Sequence, residues 1–227
     1  MMQKCDRDLA DACRSGYLAG IKAALAAGAD VNFRGVTGLT SVLRLVRSLR
    51  RSEFLEPCLN ELLDSGAIAY FREWHRGETP LIALCRQQRP DKRIVRMATR
   101  LIEAAPGVLD AVDHSDRTAL SHVCGWAGSR WWWTPHSPKL VQVLLAYGAK
   151  TNVGKHLPLA AAVGAHDSYL ATMLLRKEAD PRIPEAGTNE SPLKVIVLRN
   201  RWRRTIKLFE KRYPGAVARI RAEARSA

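Results

Sequence analysis

One phrase recurs along this chain with variation, and it restricts the possible folds more than any other feature. Its closing half is clearest at Ala24-Leu25-Ala26-Ala27-Gly28-Ala29-Asp30-Val31-Asn32, Leu62-Leu63-Asp64-Ser65-Gly66-Ala67 and Leu144-Leu145-Ala146-Tyr147-Gly148-Ala149-Lys150-Thr151-Asn152. Weaker copies stand at Leu101–Ala105 and Leu174–Asp180. The opening half aligns too: Gly38-Leu39-Thr40-Ser41-Val42, Gly77-Glu78-Thr79-Pro80-Leu81, Asp116-Arg117-Thr118-Ala119-Leu120, His156-Leu157-Pro158-Leu159 and Glu190-Ser191-Pro192-Leu193. Six units begin near residues 5, 37, 76, 115, 154 and 188. A unit this short cannot bury an apolar face alone, so neighbours must stack.

Each unit reads as a turn followed by two helices. Thr at the opening can cap the first helix, and Pro fits its first turn. Gly after the second helix suits a left-handed C-cap. The pattern resembles the ankyrin-repeat family, whose unit is a β-turn and two antiparallel helices opening on Thr-Pro-Leu-His-x-Ala. Gly77-Glu78-Thr79-Pro80-Leu81 followed by Ala83-Leu84-Cys85 carries the resemblance most specifically. It implies an all-α solenoid over residues 1–227, one domain with repeats at 5–36, 37–75, 76–114, 115–153, 154–187 and 188–215. A basic C-terminal helix or tail follows.

The departures from that pattern fall in the middle. From the opening Leu-type position to the closing Gly-type position, Leu9 to Gly28, Leu159 to Glu178 and Leu193 to Arg212 each span 19 residues. Val42 to Gly66 and Leu81 to Ala105 span 24, and Leu120 to Gly148 spans 28. The central units therefore carry insertions between their two helices, the largest containing Trp131-Trp132-Trp133. The family's opening His is replaced by Leu43, Ile82, Ser121, Ala160 and Lys194. Such divergence points to a surface shaped for one partner.

Charge is uneven. The chain of 227 residues has 36 Lys and Arg against 22 Asp and Glu, a net +14. Residues 190–227 hold eleven of the basic residues and three of the acidic ones. A basic excess raises acidic proteins, nucleic acid or an anionic membrane as partners. A terminal repeat also needs a polar outer face, which arginines supply. The apolar content of 47% excludes a disordered chain. Five cysteines (Cys5, Cys13, Cys58, Cys85 and Cys124) form no CxxC pair, so free thiols in a reducing cytoplasm are expected. The N-terminus has no signal-peptide run, and no stretch reaches the length of a membrane span. No Walker loop, GxSxG, HExxH or GxGxxG occurs, and no catalytic residue, metal site or cofactor is expected. His122 and Cys124 lie two apart, a spacing that does not share a helix face.

The resemblance implies a concave binding surface built from first helices and turn tips. Projected onto it are Arg14, Arg44, Arg47, Arg86, His122 and Trp126 from the helices. Arg72, Trp74, His75, Arg76, His114 and Arg117 come from the tips. Arg44, Arg47 and Arg51 share a helix face and, with Arg86, suggest a basic patch over the second and third units. Arg can pair bidentately with carboxylates. Trp131, Trp132 and Trp133 cannot all face one core, and aromatic residues dominate interface hot spots.

These features lead to non-catalytic protein–protein recognition by a chain that is monomeric when free, its partner carrying an acidic surface. Small, Ala/Arg-rich arrays of this kind resemble bacterial immunity proteins that neutralise a cognate toxin. The absence of a second domain with its own activity favours that role over a host-directed effector or adaptor. A basic repeat protein binding nucleic acid is the reading of another class.

Overall fold

The computed structural model describes residues 3–35, 38–48, 54–86, 91–126, 137–187, 190–199 and 202–226. Among them the chain is all-helical, as the repeat pattern predicts. The helices form successive pairs: α1 (Lys4–Ser15) with α2 (Leu18–Ala26), α3 (Ser41–Arg47) with α4 (Leu55–Asp64), and α5 (Pro80–Cys85) with α6 (Lys92–Ala104). There follow α7 (Ala119–Trp126) with α8 (Ser137–Ala146), α9 (Pro158–Gly164) with α10 (Ser168–Arg176), and α11 (Pro192–Arg199) with α12 (Arg203–Arg212). A last helix, α13 (Pro214–Ser226), packs on α11 and α12.

Local chemistry sets the helix boundaries. The Thr79 hydroxyl accepts from Ile82 N at 3.3 Å, and the Thr118 hydroxyl accepts from Ser121 N at 3.1 Å. Each satisfies a donor that the first helical turn would leave orphaned. Pro80 and Pro158 occupy first-turn positions, where no backbone N–H is needed. Second helices stop in one recurrent way. Ala29, Ala67, Ala149 and Ala179 each donate back to the carbonyls of Ala24, Leu62, Leu144 and Leu174, at 2.9–3.1 Å. The residue before each of them is left-handed: Gly28, Gly66, Gly148 and, in the fifth pair, Glu178 at φ 65°.

The pairs stack because their apolar faces match. First helices form one row, with α1 on α3, α3 on α5, α5 on α7, α7 on α9 and α9 on α11. In the second row α2 meets α4, α4 meets α6 and α6 meets α8. The α5 helix is sandwiched from three sides, so every residue from Pro80 to Cys85 is buried and the helix is apolar all round. The outer α6 instead buries one stripe, Ile94, Met97, Ala98, Leu101 and Ile102, at the i, i+3, i+4 spacing of an amphipathic helix. The buried side chains of all pairs join in one apolar core. Leu193, Ile196, Val197 and Phe209 belong to it as expected, while the side chain of Leu208 lies outside the described residues. Cys13, Cys58, Cys85 and Cys124 are buried free thiols. Burial pushes Cys13 up to about 12 and Cys58, with Glu61 nearby, up to about 11. Protonated, inert thiols are the result.

Polar bridges tie neighbouring units along the outer edge. Asn32 accepts from Ile68 N at 2.8 Å and donates to Gly66 O at 3.0 Å. Asn152 does the same three repeats on, accepting from Asp180 N at 3.0 Å and donating to Glu178 O at 3.2 Å. Among the described residues no helix is long and apolar enough to cross a membrane.

A cationic cleft between two turn tips

The turn preceding α5 closes on itself. Glu73 N donates to Glu78 O at 3.1 Å and Gly77 N donates to Glu73 O at 3.1 Å. The turn preceding α7 repeats this, with Asp113 N donating to Arg117 O at 3.0 Å. His114 N then donates to Arg76 O at 2.8 Å, fastening one tip to the next. The His114 ring lies across Gly77, where a Cβ would come within 2.4 Å of its Cδ2. Gly77 also has φ +67°, so conformation and space both require glycine there. Between the tips and the open ends of α5 and α7 is a cleft of about 620 Å3. It is lined by His75, Arg76, Arg86, His114, Arg117 and His122, all projected onto one surface from the sequence, and by His156, Gly125, Glu78, Asp113 and Ser115.

Acidic side chains under the cleft correct the expected basic patch. Glu78 is 2% exposed. It takes Arg47 Nη2 at 2.5 Å, binds Arg86 Nη1 through its other oxygen, and has Arg76 Nη1 at 3.9 Å. Glu73 is equally buried and takes Arg47 Nη2 at 3.1 Å. Burial pushes the Glu73 carboxyl up. The backbone N–H groups of His75 and Arg76, with Arg47, outweigh that and hold it below the usual range. Arg47 and Arg86 are therefore tied into an internal network, not held free for a partner.

A second buried pair supports the other tip. His122 donates from Nε2 to Asp113 Oδ2 at 2.7 Å, and both side chains are nearly inaccessible. The carboxylate can only accept, so the proton sits on Nε2. Asp113 Oδ1 accepts from Ser115 N at 2.8 Å and Arg117 N at 3.1 Å. Burial lowers the basicity of His122, and the charges of Arg117 and Arg86 add to that. The favourable Asp113 carboxylate offsets this only in part, leaving the imidazole neutral above its ordinary range.

The remaining candidates separate by availability. The Arg117 guanidinium reaches over Gly125, its Nη1 3.8 Å from where a Cβ would stand, and it has no ion-pair partner among the described residues. Arg76 is half exposed. His156 pairs with Glu185 through Nδ1 at 2.8 Å. Further along the array Arg14 pairs with Asp11 at 3.2 Å. Arg44 is half-buried with its guanidinium against Gly35. Trp74, 58% exposed, covers Gly38 and stacks with Arg34, whose guanidinium lies 5.4 Å from the Trp74 ring and 4.9 Å from that of Phe71. Arg72 is exposed beside it and its carbonyl accepts from Arg34. Trp126 ends α7, but its side chain lies outside the described residues, as do Arg51 and Trp131, Trp132 and Trp133.

The sequence pattern gives Glu78 and Asp113 no part in the site. Their signal was weak: single acids in turns that carry many arginines, with no periodicity linking them to the cations they meet. Among the described residues, no group of three His, Cys, Asp or Glu side chains is placed to hold a metal ion. No family model matches the chain, and no curated protein was found to be significantly similar to it.

Proposed function

We propose that this chain is an ankyrin-type array acting in non-catalytic recognition of an acidic protein surface through its tip-and-first-helix face. The observation that carries this reading is the cationic cleft between the tips around residues 73–78 and 113–117. Two of its arginines, Arg76 and Arg117, remain available to a partner while buried carboxylates hold the rest in place. A face whose tips are already hydrogen-bonded to each other loses little freedom on binding. Family analogy makes the biological setting that of a bacterial immunity protein that neutralises a cognate toxin. Affinity purification of the full chain from its native host tests this. The expected result is a stoichiometric protein partner, encoded beside it and toxic alone. Arg76→Glu with Arg117→Glu is expected to abolish the complex while leaving the thermal melt close to that of the parent. A eukaryotic partner would instead make the chain a host-directed effector. Retardation of random DNA at about 50 mM salt, falling steeply as salt rises, would favour the nucleic-acid reading.

A further inference from the structure

The recognition reading leaves open what enters the cleft. We propose that it receives a short extended acidic segment of the partner, with one carboxylate gripped by Arg117 and another met by Arg76 at the mouth. This rests on the recognition reading and narrows it to one site and one chemistry.

Space, charge and geometry argue for it together. A volume of about 620 Å3 lies within the roughly 300–1,000 Å3 of pockets that enclose a ligand, and a flat protein surface would leave it unfilled. The carboxylates in the wall are already used. Glu78 holds Arg47 and Arg86, and Asp113 accepts from His122, Ser115 N and Arg117 N. Arg117 is held in position through its backbone, which leaves its guanidinium fork over the bare Gly125. A planar fork with free donors suits a carboxylate, which can accept two parallel bonds. The cations converge on one cleft. Nucleic acid would need a row of cations that tracks a repeating backbone.

The probe is a fluorescein-labelled hexaglutamate peptide, titrated against the full chain by fluorescence anisotropy at about 50 mM salt, where ion pairing is little screened. A labelled hexaglutamine peptide is the neutral control. Hexaglutamate is expected to bind and hexaglutamine not. Arg117→Gln is expected to weaken binding about tenfold, the loss of one charge-assisted contact. Arg176→Gln, which removes an exposed arginine of α10 away from the cleft, is expected to change it less than about twofold. Arg117→Gln should melt as the parent does, since its backbone bond to Asp113 is untouched. The proposal is overturned by no binding of hexaglutamate, by equal weakening by the two variants, or by Arg117-dependent binding of a DNA oligonucleotide alone. A partner still captured at full strength by Arg117→Gln would remove this inference and leave the recognition reading standing. Hexaglutamate binding that depends on Arg117, with no protein partner recovered from the host, would do the reverse.

Discussion

At Glu78 an almost fully buried carboxylate accepts from Arg47 on α3 and Arg86 at the end of α5. Replacing it with Gln would leave Arg47 with Glu73 as its remaining carboxylate and would take from Arg86 the carboxylate it binds. Removing one partner of a fully buried pair costs about 3–5 kcal/mol. Both arginines are about a third exposed, so about 2 kcal/mol is expected for Glu78→Gln after solvent screening. Urea denaturation of the two proteins side by side measures it. His122 supplies a pH dependence. Its imidazole is harder to protonate in the folded protein than in the unfolded chain, where its pKa is about 6.5. Unfolding therefore takes up a proton below that value, and stability falls as pH drops through it. The contribution is intact above about pH 6.5. His122→Gln keeps a donor for Asp113 and removes the titration. Its unfolding free energy should change less between pH 7.5 and pH 5.5 than the parent's.

The same stop signal ends four second helices, but one copy uses the wrong residue for its backbone. Gly28, Gly66 and Gly148 are left-handed at no steric cost, while Glu178 holds φ 65° with a side chain attached. A non-glycine residue in that region is disfavoured by roughly 1–2 kcal/mol. The Glu178 side chain is exposed and its backbone carbonyl serves Asn152, so glycine can replace it without losing that bridge. Glu178→Gly is expected to stabilise the protein by about 1 kcal/mol and raise Tm by about 2–4 °C. Differential scanning calorimetry tests this. The opening caps make the opposite case. Thr79 is buried and donates stability through one bond to Ile82 N, so Thr79→Ala should cost about 1 kcal/mol in the same measurement.

Over the whole molecule each helix pair leans mainly on its neighbours, so stability is a sum of local and nearest-neighbour parts. The ends differ from the middle. The α13 helix covers α11 and α12, and its Val217 joins the buried core that contains Phe209. Deleting residues 214–227 should expose that last pair first. Amide hydrogen exchange is expected to accelerate in α11 and α12 and to stay unchanged in α3 to α6. Uniform acceleration along the chain would mean that the array unfolds as a single cooperative unit. The basic excess also divides at this scale. Part of it neutralises buried carboxylates beneath the cleft, and a separate part lies in the last helices, where α13 carries exposed Arg219, Arg221 and Arg225.

The sequence by itself determined the helical architecture, because its signals are local: a threonine or proline at a helix start, a Leu-Leu pair, a glycine at a helix stop. Each acts within a few residues, so linear spacing carries it. It also placed Arg76, Arg86, His114, Arg117 and His122 on one face, since repeats map equivalent positions onto equivalent sides. Only the tertiary structure decided which of these cations are available. Glu78 meets Arg47 across 31 residues and Glu73 meets it across 26, contacts that no periodicity encodes. Charge counted along a chain is additive, whereas charge in a folded protein is paired. Pairing depends on which turn tip lies against which helix, and the stacking of neighbouring units sets that.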